Sequence, residues 1–311
     1  MDAGLDLSSL ERPEVLTHLF PPGRERTAAP PPGSQDLYVT VDPGIQVGVR
    51  IFPWEPQAPH VVLFQGPGQT SGDCDSLGPA YNRHSMNLLV ADYRGYGLSG
   101  GTPTISHLLA DAWKVFAELD RWLATEGRSG PRIVMGRALG SAAALEVACC
   151  FRDKVEALIL ESPFAWTVPY LKRLGVATEE LGLCEGMGFA NPHKIRSTGM
   201  PTLIIHGAND DVIPSSEGET LLAYSSSRRK QFLLATGCGH LDIVQRYGDI
   251  YFETLSRFAA VTIMMRRKRA NEGGFNRMRP RRQAGKRGRF QQDAPAKAVT
   301  VRIGASREQA R

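Results

Sequence analysis

The ten residues Arg132–Ser141, RIVMGRALGS, are laid out to present a nucleophile and carry none. A serine held on a sharp strand-to-helix turn reads G-x-S-x-G, and the turn leaves its hydroxyl exposed at the top of a sheet. Here Arg132–Met135 supplies a strand-like run and Gly136-Arg137-Ala138-Leu139-Gly140 the turn, after which Ser141 opens a helix of small residues. The two glycines remove side chains where the chain turns tightly and where helix and strand pack closely. At the nucleophile position stands Ala138, a methyl in place of a hydroxyl.

The partners of such a nucleophile are an acid and then a histidine, in that chain order, each on a loop after a late strand. His206-Gly-Ala-Asn-Asp210-Asp211-Val-Ile-Pro214 supplies the acid, assigned to Asp210 with Asp211 as the neighbour that resembles it. Gly237-Cys238-Gly239-His240 supplies the base. An acid there fixes the imidazole tautomer and steadies its charge while the ring takes the nucleophile's proton. Stabilising the resulting oxyanion needs two N–H donors. One is expected from Leu139, and the other from the loop Gln65-Gly66-Pro67-Gly68-Gln69, at Pro67 or at its neighbours Gly66 and Gly68. Proline has no N–H, so Pro67 is a second departure from a working site.

Alanine at position 138 has three readings: a relative that lost its chemistry, a serine replaced to trap substrate, and a chain using another nucleophile. Ser141 is one helical turn along, too far to attack the same atom. Cys238 and Cys74 lie near the base and on a loop, and a reactive cysteine needs a depressed pKa. In the subtilisin series, loss of the nucleophilic serine costs about a millionfold in turnover.

The elements that would position these residues read as a hairpin followed by alternating strands and helices. Tyr38–Val41 and Gln46–Phe52 flank Asp42-Pro43-Gly44 as a hairpin. His60–Gln65, Met86–Tyr93, Arg132–Met135, Val155–Glu161, Pro201–His206 and Lys230–Ala235 are short apolar runs of parallel-strand type. Ile105–Thr125 carries apolar residues at spacings of three and four. Leu139 to Phe151, Ser215–Tyr224 and Tyr247–Met265 also read as helices. The alternation implies a mostly parallel sheet with crossover helices. Ser162–Gly199 is less regular and reads as a small cap, where Phe164, Trp166, Tyr170 and Met187 suggest an apolar pocket.

Residues 1–35 read as a loose Pro/Gly-rich leader, residues 36–265 as the folded domain and residues 266–311 as a disordered basic tail. The tail holds 15 Lys/Arg against 3 Asp/Glu, which leaves 22 basic and 29 acidic residues in an acidic body. Such a tail could contact nucleic acid or an anionic surface through phosphates. The five cysteines form no C-x-x-C pair, so neither a disulfide framework nor a metal knuckle is expected. The N-terminus lacks a secretory signal, and no apolar run is long enough to span a membrane, so a cytoplasmic, soluble protein is expected.

Residues from about 37 to 262 resemble the α/β-hydrolase superfamily, in its serine-aminopeptidase-like and monoacylglycerol-lipase-like branch. Asp92-Tyr-Arg-Gly-Tyr-Gly-Leu-Ser-Gly100 is similar to that branch's D-Y-R-G-Y-G-x-S-x-G segment. Gly101-Thr-Pro-Thr104, Asp111 and Ala112 suit it too, and GRALGS is similar to its GRSLGS with one substitution. His206–Pro214 matches H-G-x-x-D-x-x-[IV]-P and Gly237–His240 matches G-x-G-H. The resemblance implies an α/β-hydrolase fold and hydrolysis of esters, thioesters or amides through an acyl-enzyme, with no cofactor and no metal. With Ala138 it implies impaired or lost catalysis, that is, a pseudoenzyme keeping a pocket for a small acyl-type ligand beside Asp210 and His240. The alternatives are an interaction protein that works through its basic tail and an active hydrolase with an unorthodox nucleophile.

Overall fold

A computed structural model of the protein describes residues 7–22, 29–277 and 299–303. After helix α1 (Pro13–Leu19), the chain forms β1 (Gln35–Asp42), β2 (Ile45–Phe52), β3 (His60–Phe64), α2 (Gly78–Arg83), β4 (Asn87–Ala91), α3 (Ile105–Thr125), β5 (Arg132–Arg137) and α4 (Gly140–Cys150). It continues with β6 (Val155–Glu161), α5 (Thr167–Arg173), α6 (Asn191–Thr198), β7 (Thr202–Gly207), α7 (Ser215–Tyr224), β8 (Lys230–Ala235), α8 (Ile243–Tyr247), α9 (Asp249–Arg277) and β9 (Val299–Ile303). The sheet order is β1-β2-β4-β3-β5-β6-β7-β8-β9. The β1–β2 and β2–β4 pairs are antiparallel, and every later pair is parallel. This is the α/β-hydrolase fold expected from the sequence.

Successive side chains of a strand point to opposite faces, and the central strands are apolar on both. Val62 and Phe64 join Val134, Leu158 and Ile204 under α3 and α4. Val61 and Leu63 join Ile133, Met135, Ile159 and Ile205 under α2 and α9. α3 buries Leu108, Ala112, Val115, Leu119 and Leu123, a stripe at helical spacing that faces the sheet. α9 does the same with Tyr251, Leu255, Phe258 and Ala259. Full burial of each large apolar side chain contributes about 1.5–3 kcal/mol, so both faces are well anchored.

Two boundaries differ from expectation. The leader is not loose where it is described: Leu10, Val15 and Leu19 are buried in the core. The Glu11 carboxylate accepts from the amides of Ile105 (3.3 Å) and Ser106 (2.6 Å), which as the first amides of α3 have no intrahelical acceptor. The Tyr96 hydroxyl donates to the Pro21 carbonyl. The Pro/Gly clusters masked this short helix, whose first residue is Pro13. At the other end, α9 runs past Met265 to Arg277, because Arg266-Arg-Lys-Arg-Ala270 are good helix formers with no glycine before Gly273. Val299–Ile303, rich in β-branched residues, pairs in parallel with β8. The expected basic contact surface of 266–311 falls mainly on residues 278–298 and 304–311, outside the described residues. Among the described residues, no helix is long and apolar enough to cross a membrane.

Candidate active site

β5 runs into α4 through the turn that the sequence marks. Ala138 has φ +47°, a left-handed conformation that costs a non-glycine residue about 1–2 kcal/mol. The surroundings impose it. A Cβ on Gly136 would lie 2.3 Å from the Gly140 carbonyl oxygen, and one on Gly140 would lie 2.2 Å from that of Phe64. Both glycines therefore mark close backbone approaches. The Ala138 amide donates to the Glu161 carbonyl at 3.0 Å. The Arg137 guanidinium pairs with the Glu161 carboxylate at 2.8 Å, and the buried Tyr251 hydroxyl donates to the same carboxylate. The end of β6 thus clamps the turn through both backbone and side chain.

The acid and base loops follow β7 and β8, which lie side by side. Their backbones are tied together, with the Asn209 amide donating to the Cys238 carbonyl at 2.8 Å. A Cβ on Gly207 would lie 2.3 Å from the Gly239 carbonyl oxygen, so only glycine permits this approach. Asp210 is buried and Asp211 exposed. Asp210 Oδ2 lies 2.8 Å from His240 Nδ1. Asp210 Oδ1 accepts from the amides of Val212 (3.1 Å) and Ile213 (2.8 Å). Burial pushes the Asp210 carboxyl up, but hydrogen bonds from His206 and His240 outweigh it and hold the group well below the usual carboxylate range. An ionised Asp210 can only accept, so Nδ1 of His240 donates to it, and in the neutral ring Nε2 is the acceptor. The buried His206 has Nε2 2.7 Å from the Ile213 carbonyl and 3.4 Å from Asp210 Oδ2, so it adjoins both the acid and its loop. In the sequence it appeared only as the first letter of a motif.

Ala138 and His240 line one cavity of about 190 Å³ with Pro67, Tyr170, Leu174 and Val212. A second cavity of about 330 Å³, more polar, lies beyond His240 and is lined by Asp73, Ser76, Glu161 and Gln245. Arg137, Gln69, His240 and Leu241 border both. Of the four apolar cap residues singled out in the sequence, Tyr170 reaches the first cavity. Phe164 stacks beneath Tyr170 at 4.4 Å, Trp166 packs edge-on against Tyr224 at 6.0 Å, and Met187 is half-buried. Sequence reasoning passed over Leu174, which carries no motif, and named Gln69 only as the last residue of the donor loop.

The donors for an oxyanion are incomplete. Leu139 sits at the N-terminal end of α4, where amides lack intrahelical acceptors. Pro67 lines the cavity where the second donor belongs, and it has none. The Gly66 amide is taken by Gln69 Oε1 at 3.1 Å. Gly68 is not among the residues that line this cavity, and a Cβ there would lie 3.3 Å from Pro21 Cγ. The substitute nucleophiles fare no better. Ser141 is fully buried in the first turn of α4, with Oγ unpartnered. Burial pushes the Cys74 thiol up to about 12 and raises that of Cys238 as well, the opposite of what a thiolate nucleophile needs.

Known proteins resemble this chain in sequence and in fold. Residues 55–182 match a family model described as serine aminopeptidase, S33. Human alpha/beta hydrolase domain-containing protein 17B is 33% identical over 226 residues, covering 70% of this chain and 72% of that one. An esterase of Pyrococcus furiosus superposes with a TM-score of 0.61 at 15% identity, over 77% of this chain and 96% of that one. A soluble variant of monoglyceride lipase from Saccharomyces cerevisiae, solved with a substrate analogue, gives a TM-score of 0.59 at 16% identity, over 78% and 97%. A relative of this identity and span shows that the chain belongs to the α/β-hydrolase family.

Proposed function

We propose that the protein is a non-catalytic α/β-hydrolase that binds an acyl-type ligand, an ester or amide, in the cavity between Ala138 and His240 and does not turn it over. The observation that carries this reading is the methyl of Ala138, held at φ +47° where a nucleophilic oxygen would be needed, beside a complete Asp210–His240 pair. The imidazole retains a proton acceptor and has no hydroxyl to deprotonate. Loss of the nucleophile removes the acyl-enzyme route and leaves ligand binding untouched, because a methyl adds no charge and occupies no more space than a hydroxymethyl. The apolar lining from Tyr170, Leu174 and Val212 suits an acyl or alkyl group.

A fluorophosphonate probe tests the reading. The probe reacts with serines activated by a neighbouring histidine. The unsubstituted chain is expected to stay unlabelled, and Ala138→Ser is expected to be labelled at position 138. Labelling of the unsubstituted chain would show that it carries a working nucleophile elsewhere.

A further inference from the structure

We propose that the side-chain amide of Gln69 is the second hydrogen-bond donor to a ligand's carbonyl oxygen at Ala138, replacing the backbone N–H that Pro67 lacks. This rests on the reading of the cavity as an acyl-ligand site and names a residue that recognises the ligand.

Of the loop residues after β3 that line the cavity, Gly66, Pro67 and Gln69, none has a spare backbone donor. Pro67 carries no hydrogen, and the Gly66 amide is committed to Gln69 Oε1 at 3.1 Å. The Gln69 amide turns back to the Gly66 carbonyl at 3.4 Å. A carboxamide has one oxygen that accepts and one nitrogen with two hydrogens to donate. The contact with Gly66 uses the oxygen and fixes which end of the group is which. Nε2 takes no protein acceptor among the described residues. Gln69 borders both cavities, in each case with His240. The Cβ position of Gly66 lies 3.0 Å from Gln69 Oε1 and 3.6 Å from the Ala138 methyl, so the carboxamide and the nucleophile position share one neighbour. Side-chain amides serve as donors to carbonyl oxygens in acyl-transfer sites. This one is held by the loop it completes, so its orientation does not have to be found when the ligand arrives.

The test uses Gln69→Glu. A glutamate keeps an oxygen for the Gly66 amide, so the loop retains its tie, but it offers no hydrogen to a carbonyl. Butyranilide, a stable amide of short acyl length, is titrated calorimetrically into the unsubstituted chain and into Gln69→Glu. The expected result is binding weakened about three- to tenfold, the worth of one neutral hydrogen bond. In an Ala138→Ser background, Gln69→Glu is expected to lower kcat for p-nitrophenyl butyrate about 100-fold, with a smaller change in KM. Selective ¹⁵N-glutamine labelling reads the contact without substitution at Gln69, whose side-chain amide signals are expected to shift on adding butyranilide. Equal affinity in both proteins, or unmoved Gln69 signals at saturation, would overturn the inference while leaving the acyl-ligand reading in place. An inert Ala138→Ser protein with weakened butyranilide binding in Gln69→Glu would support Gln69 and count against an otherwise intact catalytic site. No binding by the unsubstituted chain would overturn both.

Discussion

Asp210 Oδ2 sits 2.8 Å from His240 Nδ1, a pair oriented to activate a hydroxyl that position 138 does not have. The pair persists for a structural reason as well. The same carboxylate accepts the amides of Val212 and Ile213 and neighbours His206, so it organises the whole loop after β7. The carboxylate thus has structural work that does not depend on any chemistry at position 138.

Asp210→Asn tests that structural role. The folded carboxyl is held below its ordinary range, so its stabilisation is present above about pH 4 and is lost as the pH falls through the depressed folded value. The variant is expected to be less stable by about 2 kcal/mol near pH 7, the scale of hydrogen bonds to a charged group. That gap should shrink steadily below pH 4. Urea unfolding at pH 7, 4 and 3 measures it. A gap independent of pH would contradict the assignment.

Asp92 runs in the opposite direction. Burial raises its carboxyl to about 6, against hydrogen bonds from the Leu98 and Ser71 amides and the Ser71 hydroxyl. A folded value raised above the unfolded one gives stability that is full below about pH 4 and lost as the pH rises through about 6. Between those limits the unsubstituted chain should lose about 2–3 kcal/mol at this site, and Asp92→Asn should not. The unsubstituted chain should therefore lose about 2–3 kcal/mol relative to Asp92→Asn as the pH rises from 4 to 7, and parallel stability curves would refute the argument.

Gly140→Ala probes the turn. The added methyl would meet the carbonyl oxygens of Phe64 at 2.2 Å and Gln65 at 2.5 Å, both of them backbone atoms that cannot swing aside. We expect a loss of about 3 kcal/mol or more, seen as a lower melting temperature. An unchanged melting temperature would mean that β3 and α4 are not in this contact. Gly127→Ala, where a Cβ would meet nothing within 4 Å but φ is +66°, isolates the cost of backbone strain alone.

Much of this was legible in the chain. β6, β8, α3 and α7 span the residues that their apolar spacing marks, because buried parallel strands and amphipathic helices are written in local periodicity. The turn, acid and base were legible for the same reason: glycines, an acid and a histidine at fixed spacings are local signals. What was not legible depends on distant partners. The segment carrying α1 is held because Glu11 caps α3, nearly a hundred residues away in the chain, and because the core takes Leu10, Val15 and Leu19. Gln69 has no motif, and its place beside Ala138 follows from how the β3 loop folds over the turn. The clamp of Arg137 by Glu161 and Tyr251 joins three elements that no window of sequence contains.

The central claim is that the missing hydroxyl at position 138 is what silences an otherwise organised site. It is tested most directly by p-nitrophenyl butyrate hydrolysis, measured for the unsubstituted chain, Ala138→Ser, and Ala138→Ser with His240→Ala. The account predicts no enzymatic turnover by the unsubstituted chain, turnover by Ala138→Ser, and its loss when His240 is removed. Turnover by the unsubstituted chain that disappears with His240→Ala would contradict it.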